Sequence, residues 1–366
     1  MLKTNLLFEK DESGLAVERL TALWALNEAG LGGLMHALKS PFTGIIVGGT
    51  AIVLITLIAY FAKQRTTATI LKATAIVLII KATVSPHSPL PAYFAVTFQA
   101  LMGALLFGLC SNLRLAALLL GIIGLLETAL QKVLVMTIIY GNSIWKSIDV
   151  FANYVLQQLS FMSAGSDFNA SAWLVGGYIG RHLFAGVFIG WLAGHLPSEI
   201  MSALHAPRRL HSEGRTLAPQ IEATKPRRPF WKSKIVKLLF LLTIIAATLT
   251  FLTPAMDGSS KGWYVVLRAM VVLLFWYFIA APVLMKLLQQ FLKSKKARYG
   301  HEIENALRLF PQLKAYAATL WNEPAHEKGW QRWKHFLVAV IVFALTFDQT
   351  EAEAETTSAT RSEISN

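Results

Sequence analysis

The chain has 366 residues, of which 54% are hydrophobic and 15% are charged. A soluble domain has about a quarter charged residues, so this composition excludes an ordinary soluble protein and indicates one with several membrane spans. The formal net charge of +13 is concentrated beside the apolar runs, which indicates basic cytoplasmic loops rather than binding to nucleic acid.

The spans are predicted to be helices, because lipid offers no partner to unpaired backbone groups and the alternating strand pattern of a membrane barrel is not seen. The apolar runs approach the roughly 20 residues that cross a bilayer core. The predicted spans are residues 43 to 62, about 67 to 84, 91 to 110, 114 to 140, 171 to 195, 235 to 253 and 263 to 285. We therefore expect an all-α, polytopic membrane bundle.

Residues 17 to 38 are less apolar and contain Glu18, Arg19, Asn27 and Glu28. Such a stretch is either a span buried among other helices or a helix at the membrane surface. Residues 206 to 234 hold eight Lys or Arg against two Glu, which predicts a cytoplasmic linker. Counting spans back from this linker puts the N-terminus inside only if residues 17 to 38 cross, so we favour a span.

Four parts are predicted along the chain. These are a six-helix part at residues 15 to 200, a basic linker at 201 to 234, a second membrane part at 235 to 347 and an acidic, disordered tail at 348 to 366. The second part includes an amphipathic stretch at 299 to 332, in which Pro311 is expected to end one helix and start another. Residues 333 to 347 are short for a span, and we expect them to cross.

The stretch KATVSPHSPLPAYFAVTFQ, residues 81 to 99, places costly polar groups between two spans. Its three prolines prevent a continuous helix, so a structured cap is expected at the outer surface. Ser85, His87 and Ser88 then lie at the rim, and Gln99 lies below it in the next helix. A plain extracellular turn is the alternative.

Several ionisable groups lie inside or near the outer half of predicted spans: Lys81, Glu127, Lys132, Arg181 and His182, with Gln131 one turn from Glu127. Intramembrane charges are expensive unless they are paired or hydrated, so they usually line a cavity. Such a cavity suits the carboxylate or phosphate of a small ligand. The alternative is an ion pair of Glu127 with Arg181 or Lys132 that only joins two helices.

Two further patterns concern helix surfaces. Residues 144 to 162 are strongly amphipathic, and this helix either closes over a pocket or lies on the membrane surface. Gly186, Gly190 and Gly194 recur every four residues, which permits close helix contact.

The first part of the chain combines three features: six helices with both ends inside, a proline-rich outer loop before a Gln-bearing span, and an AxxxA spacing at Ala25 and Ala29. Over about residues 17 to 195, this combination resembles the S component of energy-coupling factor vitamin transporters. The later part is similar to the T component, whose coupling helices press on the ATPases. These resemblances imply partner contacts at Ala25, Ala29, Arg298 and Arg308.

The S-component resemblance implies an uptake protein of the cytoplasmic membrane with its N-terminus inside. It would bind a small, water-soluble, vitamin-like ligand from outside and be energised by separate ABC-type ATPase subunits. The candidate ligand-binding residues are Lys81, His87, Gln99, Glu127, Gln131, Lys132, Arg181 and His182.

Two other classes of function remain open. One is a membrane-embedded enzyme in which Glu127, Arg181 and His182 act on a lipid-linked substrate, and the other is a scaffold that recruits a partner through residues 290 to 332. The sequence has no GxxxxGK[ST] phosphate loop, no HExxH and no GxSxG, and neither a cofactor nor a metal is predicted.

Overall fold

The fold is a bundle of helices. The computed structural model describes residues 10 to 37, 42 to 62, 65 to 85, 88 to 158, 168 to 205, 260 to 322 and 329 to 347, and every regular element among them is helical. The predicted all-α fold class is confirmed.

The helices follow one another with short connections. In chain order they are α1 (Lys10–Leu26), a π-helical turn (Asn27–Leu31), α2 (Gly32–Ala37), α3 (Thr43–Phe61), α4 (Thr66–Val84), α5 (Leu90–Leu109), α6 (Leu113–Tyr140), α7 (Ser143–Gln158), α8 (Ala170–His205), α9 (Ser260–Phe275), a second π-helical turn (Trp276–Ala280), α10 (Ala281–Lys296), α11 (Gly300–Asn322) and α12 (Trp330–Thr346).

Six helices in the described part are long and apolar enough to cross a membrane, which identifies a membrane protein. They are α3, α4, α5, α6, α8 and the continuous helical segment Val266–Lys296. The observed bounds of α3 to α6 lie within one residue of the predicted spans. Polar caps explain part of this agreement, since the Asn112 side chain accepts hydrogen bonds from the amides of Arg114 and Leu115 at the start of α6. The predicted span at 235 to 253 lies outside the described residues.

The bundle has two ends, named here by their connections. At the proline-loop end α4 ends at Val84, α5 begins at Leu90 and α6 ends at Tyr140; at the basic end α4 begins after Arg65 and α6 begins beside Arg114. The rod from Lys10 to Ala37 runs between α3 and α4, and its residues Leu20, Trp24 and Ala25 are fully buried.

Helices α6 and α8 touch along their backbones, as the glycine spacing predicts. A Cβ atom on Gly190 would lie 2.8 Å from the Ala117 carbonyl oxygen, and one on Gly186 would lie 2.7 Å from the Gly121 carbonyl oxygen. Gly194 faces Arg114 in the same way, with a contact of 3.0 Å. Any side chain at these positions would force the two helices apart, so the glycines are required by close packing.

Helix α11 packs on α1 and α4 at the basic end. Its side chains Ile303, Ala306, Leu309 and Leu313 are buried in the same core as Leu20 of α1. The expected break at Pro311 is wrong, because α11 continues unbroken from Gly300 to Asn322. A proline removes one backbone hydrogen bond, but buried side chains on both sides of it hold the helix together.

Helix α12 contacts α8 near its own start and α1 near its own end. Lys334 forms an ion pair with Glu199 of α8 at 2.7 Å, and the Leu345 carbonyl accepts a hydrogen bond from Arg19 of α1 at 2.6 Å. With 17 residues, α12 is not one of the six helices that are long and apolar enough to cross a membrane, and the crossing expected for residues 333 to 347 stays a prediction.

Candidate functional site

A buried ion pair lies inside the bundle near the proline-loop end. The Lys81 Nζ atom donates a hydrogen bond to Glu28 Oε2 at 2.6 Å, and the side chains are only 2% and 3% exposed. Lys81 comes from the last turn of α4, and Glu28 comes from the π-helical turn after α1. Removing two charges from water costs desolvation free energy. At this depth, only direct contact between the two charges in a low-dielectric interior offsets that cost.

The π-helical turn places a second polar side chain beside this pair. Asn27 is 6% exposed, and its Nδ2 donates to the Val47 carbonyl of α3 at 3.0 Å. Its Oδ1 atom is buried and has no hydrogen-bond partner in the described part of the chain. Such wide turns are rare and occur often at functional positions.

Tyr93 and Gln99 extend this group along α5. The Lys81 Nζ atom lies 5.7 Å from the centre of the Tyr93 ring, close enough for a cation–π contact. Gln99 is 2% exposed and lies between two glycines, since a Cβ on Gly48 would be 2.9 Å from its Nε2 and one on Gly124 would be 3.3 Å from its Cγ. We name Asn27, Glu28, Lys81, Tyr93 and Gln99 the buried polar cluster.

Two serines cover the cluster at the end of α4. Ser88 is 7% exposed, and its hydroxyl lies 2.9 Å from that of Ser85. The backbone amide of Ser85 donates to the Lys81 carbonyl at 2.9 Å, so the chain leaves α4 directly above the lysine. His87 lies outside the described residues.

The other predicted site residues lie on α6 and α8 and do not join the cluster as one chamber. Both carboxylate oxygens of Glu127 are shielded and have no hydrogen-bond partner in the described part of the chain. Gln131 Nε2 donates to the Pro91 carbonyl at 3.5 Å, and Lys132 is exposed. The predicted single cavity lined by all of these side chains is therefore not the observed arrangement.

Arg181 and His182 are held by aromatic and backbone contacts. The Arg181 guanidinium lies 5.2 Å from the centre of the Phe42 ring and 5.1 Å from that of Tyr178. His182 is 1% exposed and pairs its Nδ1 with the Tyr178 carbonyl at 2.9 Å. The antiparallel register of α6 and α8 puts Glu127 level with Arg181, but the expected ion pair of Glu127 with Arg181 or Lys132 is not formed. Neither is a hydrogen bond from Glu127 to His182.

The predicted partner contacts fall into two groups. Ala25 and Ala29 are 0% and 6% exposed, so both face the interior of this chain. Arg298 is exposed in the turn between α10 and α11. Arg308 is exposed on α11 and donates to Glu304, one turn away, at 2.9 Å.

The hollows in the described part of the molecule include two that lie away from the buried polar cluster. A shallow one of about 450 Å³ lies on α7, and a smaller one of about 80 Å³ lies at the basic end beside Glu18, Lys72 and Glu302. Among the described residues, three or more His, Cys, Asp or Glu side chains do not come together in a way that could hold a metal ion.

Sequence reasoning selected Lys81 and Gln99 as site residues but passed over Asn27, Glu28 and Tyr93. The signal for the first two was present, because they are polar residues in a stretch that we predicted to cross. Comparison with protein-family models, curated proteins and solved structures finds no match to this chain.

Proposed function

We propose that this chain is an integral membrane transport protein that takes up a small, water-soluble, vitamin-like ligand through the buried polar cluster. The observation that carries the proposal is the Glu28–Lys81 ion pair, shielded within the bundle beneath Ser85 and Ser88. Membrane proteins seldom retain such costly groups without a role in binding or passage, which favours a functional role over a simple fastening of two helices.

The chemistry of the cluster favours a ligand with an anionic group. Glu28 occupies the position opposite Lys81 that a ligand carboxylate or phosphate would take, so such a ligand would compete with Glu28 for the ammonium group. The buried Asn27 Oδ1 and the Tyr93 hydroxyl, which have no hydrogen-bond partner in the described part of the chain, would supply neutral polar contacts.

The distribution of charge supports an orientation. Arg65, Arg114 and the Lys293, Lys295 and Lys296 group at the end of α10 all lie at the basic end. Excess Lys and Arg mark the cytoplasmic side of a membrane. In this proposal the N-terminus is inside, the proline-loop end faces outward, and the membrane is the cytoplasmic one.

Energy for uptake would come from separate ABC-type ATPase subunits, because the sequence has no phosphate-binding loop. The scaffold alternative is weaker, since the apolar side of α11, within the stretch that would recruit a partner, is already buried on α1 and α4. The enzyme alternative lacks the Glu127 to His182 hydrogen bond on which it depended.

The test is ligand binding by the purified full-length chain. We expect a vitamin-like anion to co-purify or to raise the thermal unfolding temperature in a panel of such compounds. The double variant Glu28→Gln with Lys81→Met leaves no lone charge and should fold, but it should lose that temperature shift; Gly177→Ala, remote from the cluster, should keep it. If no compound stabilises the wild type and no ATPase subunit accompanies it, the transport proposal fails.

A further inference from the structure

Helix α7 leaves three large side chains uncovered. Val150, Phe151 and Tyr154 are 71%, 69% and 61% exposed, and they lie next to one another on one face of the helix. They line the shallow hollow of about 450 Å³ together with Lys146 and Ser147.

The polar side of α7 is fixed to the start of α8. Asp149 accepts hydrogen bonds from the Ser171 amide at 2.7 Å and from the Ser171 hydroxyl at 2.9 Å. Asn153 donates to the Phe168 carbonyl at 2.9 Å and accepts from the Phe168 amide at 2.8 Å. These four hydrogen bonds fix the rotation of α7 about its axis, so Val150, Phe151 and Tyr154 stay exposed.

These contacts also set the direction of α7. Trp145 donates to Thr137, one turn before the end of α6, and Asp149 and Asn153 bind residues at the very start of α8. Residues 145 to 153 advance about 12 Å along the helix axis. Since all three partners lie within about one turn of the ends of α6 and α8, α7 runs across these helices and not along them.

Helix α7 lies at the edge of the apolar belt, which is the ring of exposed apolar side chains around the bundle. The exposed side chains Leu134 and Ile138 of α6 and Trp173 and Leu174 of α8 lie at or just below this level, and they belong to helices long enough to cross a membrane. Trp and Tyr side chains are enriched where acyl chains meet headgroups. The uncovered side of α7 therefore continues the lipid-facing surface of the bundle.

We propose that α7 lies on the bilayer at the proline-loop end, with Val150, Phe151 and Tyr154 among the upper acyl chains. Lys146, exposed at the edge of the same hollow, lies at the level of the phospholipid phosphates. Of the two roles left open by the amphipathic pattern, this proposal takes the membrane surface, because a helix that closed over a pocket would cover these three side chains.

Site-specific labelling tests this proposal cleanly, because Cys110 is the single cysteine of the chain and Cys110→Ser removes it. In that background, Phe151→Cys and Tyr154→Cys would carry a polarity-sensitive fluorophore in phosphatidylcholine–phosphatidylglycerol vesicles. Asn142→Cys, exposed in the turn before α7 and away from the face of Val150, Phe151 and Tyr154, is the control at the same end of the bundle. Unfolding temperatures close to that of the Cys110→Ser protein confirm that the labelled variants fold.

We expect labels at 151 and 154 to emit at shorter wavelength and to lose fluorescence to lipids brominated high on the acyl chain, with little loss to aqueous iodide. The label at 142 should show the reverse. Iodide quenching at 151 and 154 equal to that at 142 would place the helix in water and overturn the proposal. Protection from both quenchers would place these residues against protein, and this also overturns it.

Discussion

Lys81 on α4 and Glu28 in the π-helical turn meet at 2.6 Å inside the bundle, with both side chains almost completely shielded. Each residue is the direct charge partner of the other. Loss of one partner leaves a buried charge without compensation, whereas loss of both leaves no buried charge. Comparing the stability of single and double variants therefore separates the contribution of the pair from that of each side chain.

Removing one member of the pair is expected to be severe. Lys81→Met or Glu28→Gln alone should destabilise the protein by about 3 to 5 kcal/mol, because one buried charge remains. The double variant should recover most of that loss. Unfolding in detergent, followed by tryptophan fluorescence, measures all three proteins, and equal stability of the single and double variants would contradict a direct pair.

The same chemical change should act differently at the second buried carboxylate. Glu127→Gln is expected to be as stable as the wild type or more stable, because neither oxygen of Glu127 accepts a hydrogen bond from any described group. Run beside Glu28→Gln, this variant is a matched comparison of two intramembrane glutamates. A loss as large as that of Glu28→Gln would mean that Glu127 has a partner.

The contact of α6 with α8 predicts a contrast between two glycines of one helix. Gly190→Ala should destabilise by about 1 to 3 kcal/mol, since its methyl group would lie 2.8 Å from the Ala117 carbonyl oxygen and from the Leu118 Cα. Gly177→Ala should be neutral or slightly stabilising, because a Cβ there meets nothing within 4 Å and alanine favours helix. Thermal unfolding of the two variants side by side measures the difference.

Acid should loosen α11 from the bundle. Burial raises the pKa of Glu302, but the hydrogen bond from Lys72 at 2.8 Å, a backbone hydrogen bond and the charges of Lys72 and His301 together lower it by more, so the pKa lies below its ordinary value. A carboxyl group with a lowered folded-state pKa contributes stability that is complete above its unfolded pKa and disappears as the pH falls through the folded one.

The protection factors of α11 amides, which are exchange rates corrected for the intrinsic effect of pH, are therefore expected to fall at acidic pH in the wild type. The pair is partly exposed, so the effect should be at most about 1 kcal/mol. Glu302→Gln should remove this part of the pH dependence, so that its protection factors change less with pH. An unchanged pH profile in that variant would assign the effect to another group.

The spans were predictable because the thickness of a bilayer sets their length, and α3 to α6 agree within one residue. The close approach at Gly186 and Gly190 was also predictable, since small residues every four positions leave room for a neighbouring backbone. Lys81 was recognised as costly on its position alone. These features depend on local sequence.

The partner of Lys81 could not be read from the sequence, because Glu28 is distant along the chain and faces α4 only through a π-helical turn that no residue pattern announces. The prediction of a break at Pro311 failed for a related reason. Tertiary packing on α1 and α4 keeps α11 continuous through Pro311.

The rod from Lys10 to Ala37 takes part in both ends of the molecule. Near one end Glu18 accepts a hydrogen bond from Asn305 of α11 at 2.7 Å, and further along Glu28 binds Lys81. The π-helical turn holds one residue more than a regular turn, so removing it would rotate the preceding segment by about 100° relative to the following one. A single-residue deletion there would shorten the rod only slightly, but it would rotate the side chains on one side of the turn relative to those on the other. Its two faces could then no longer be aligned with α11 and α4 together.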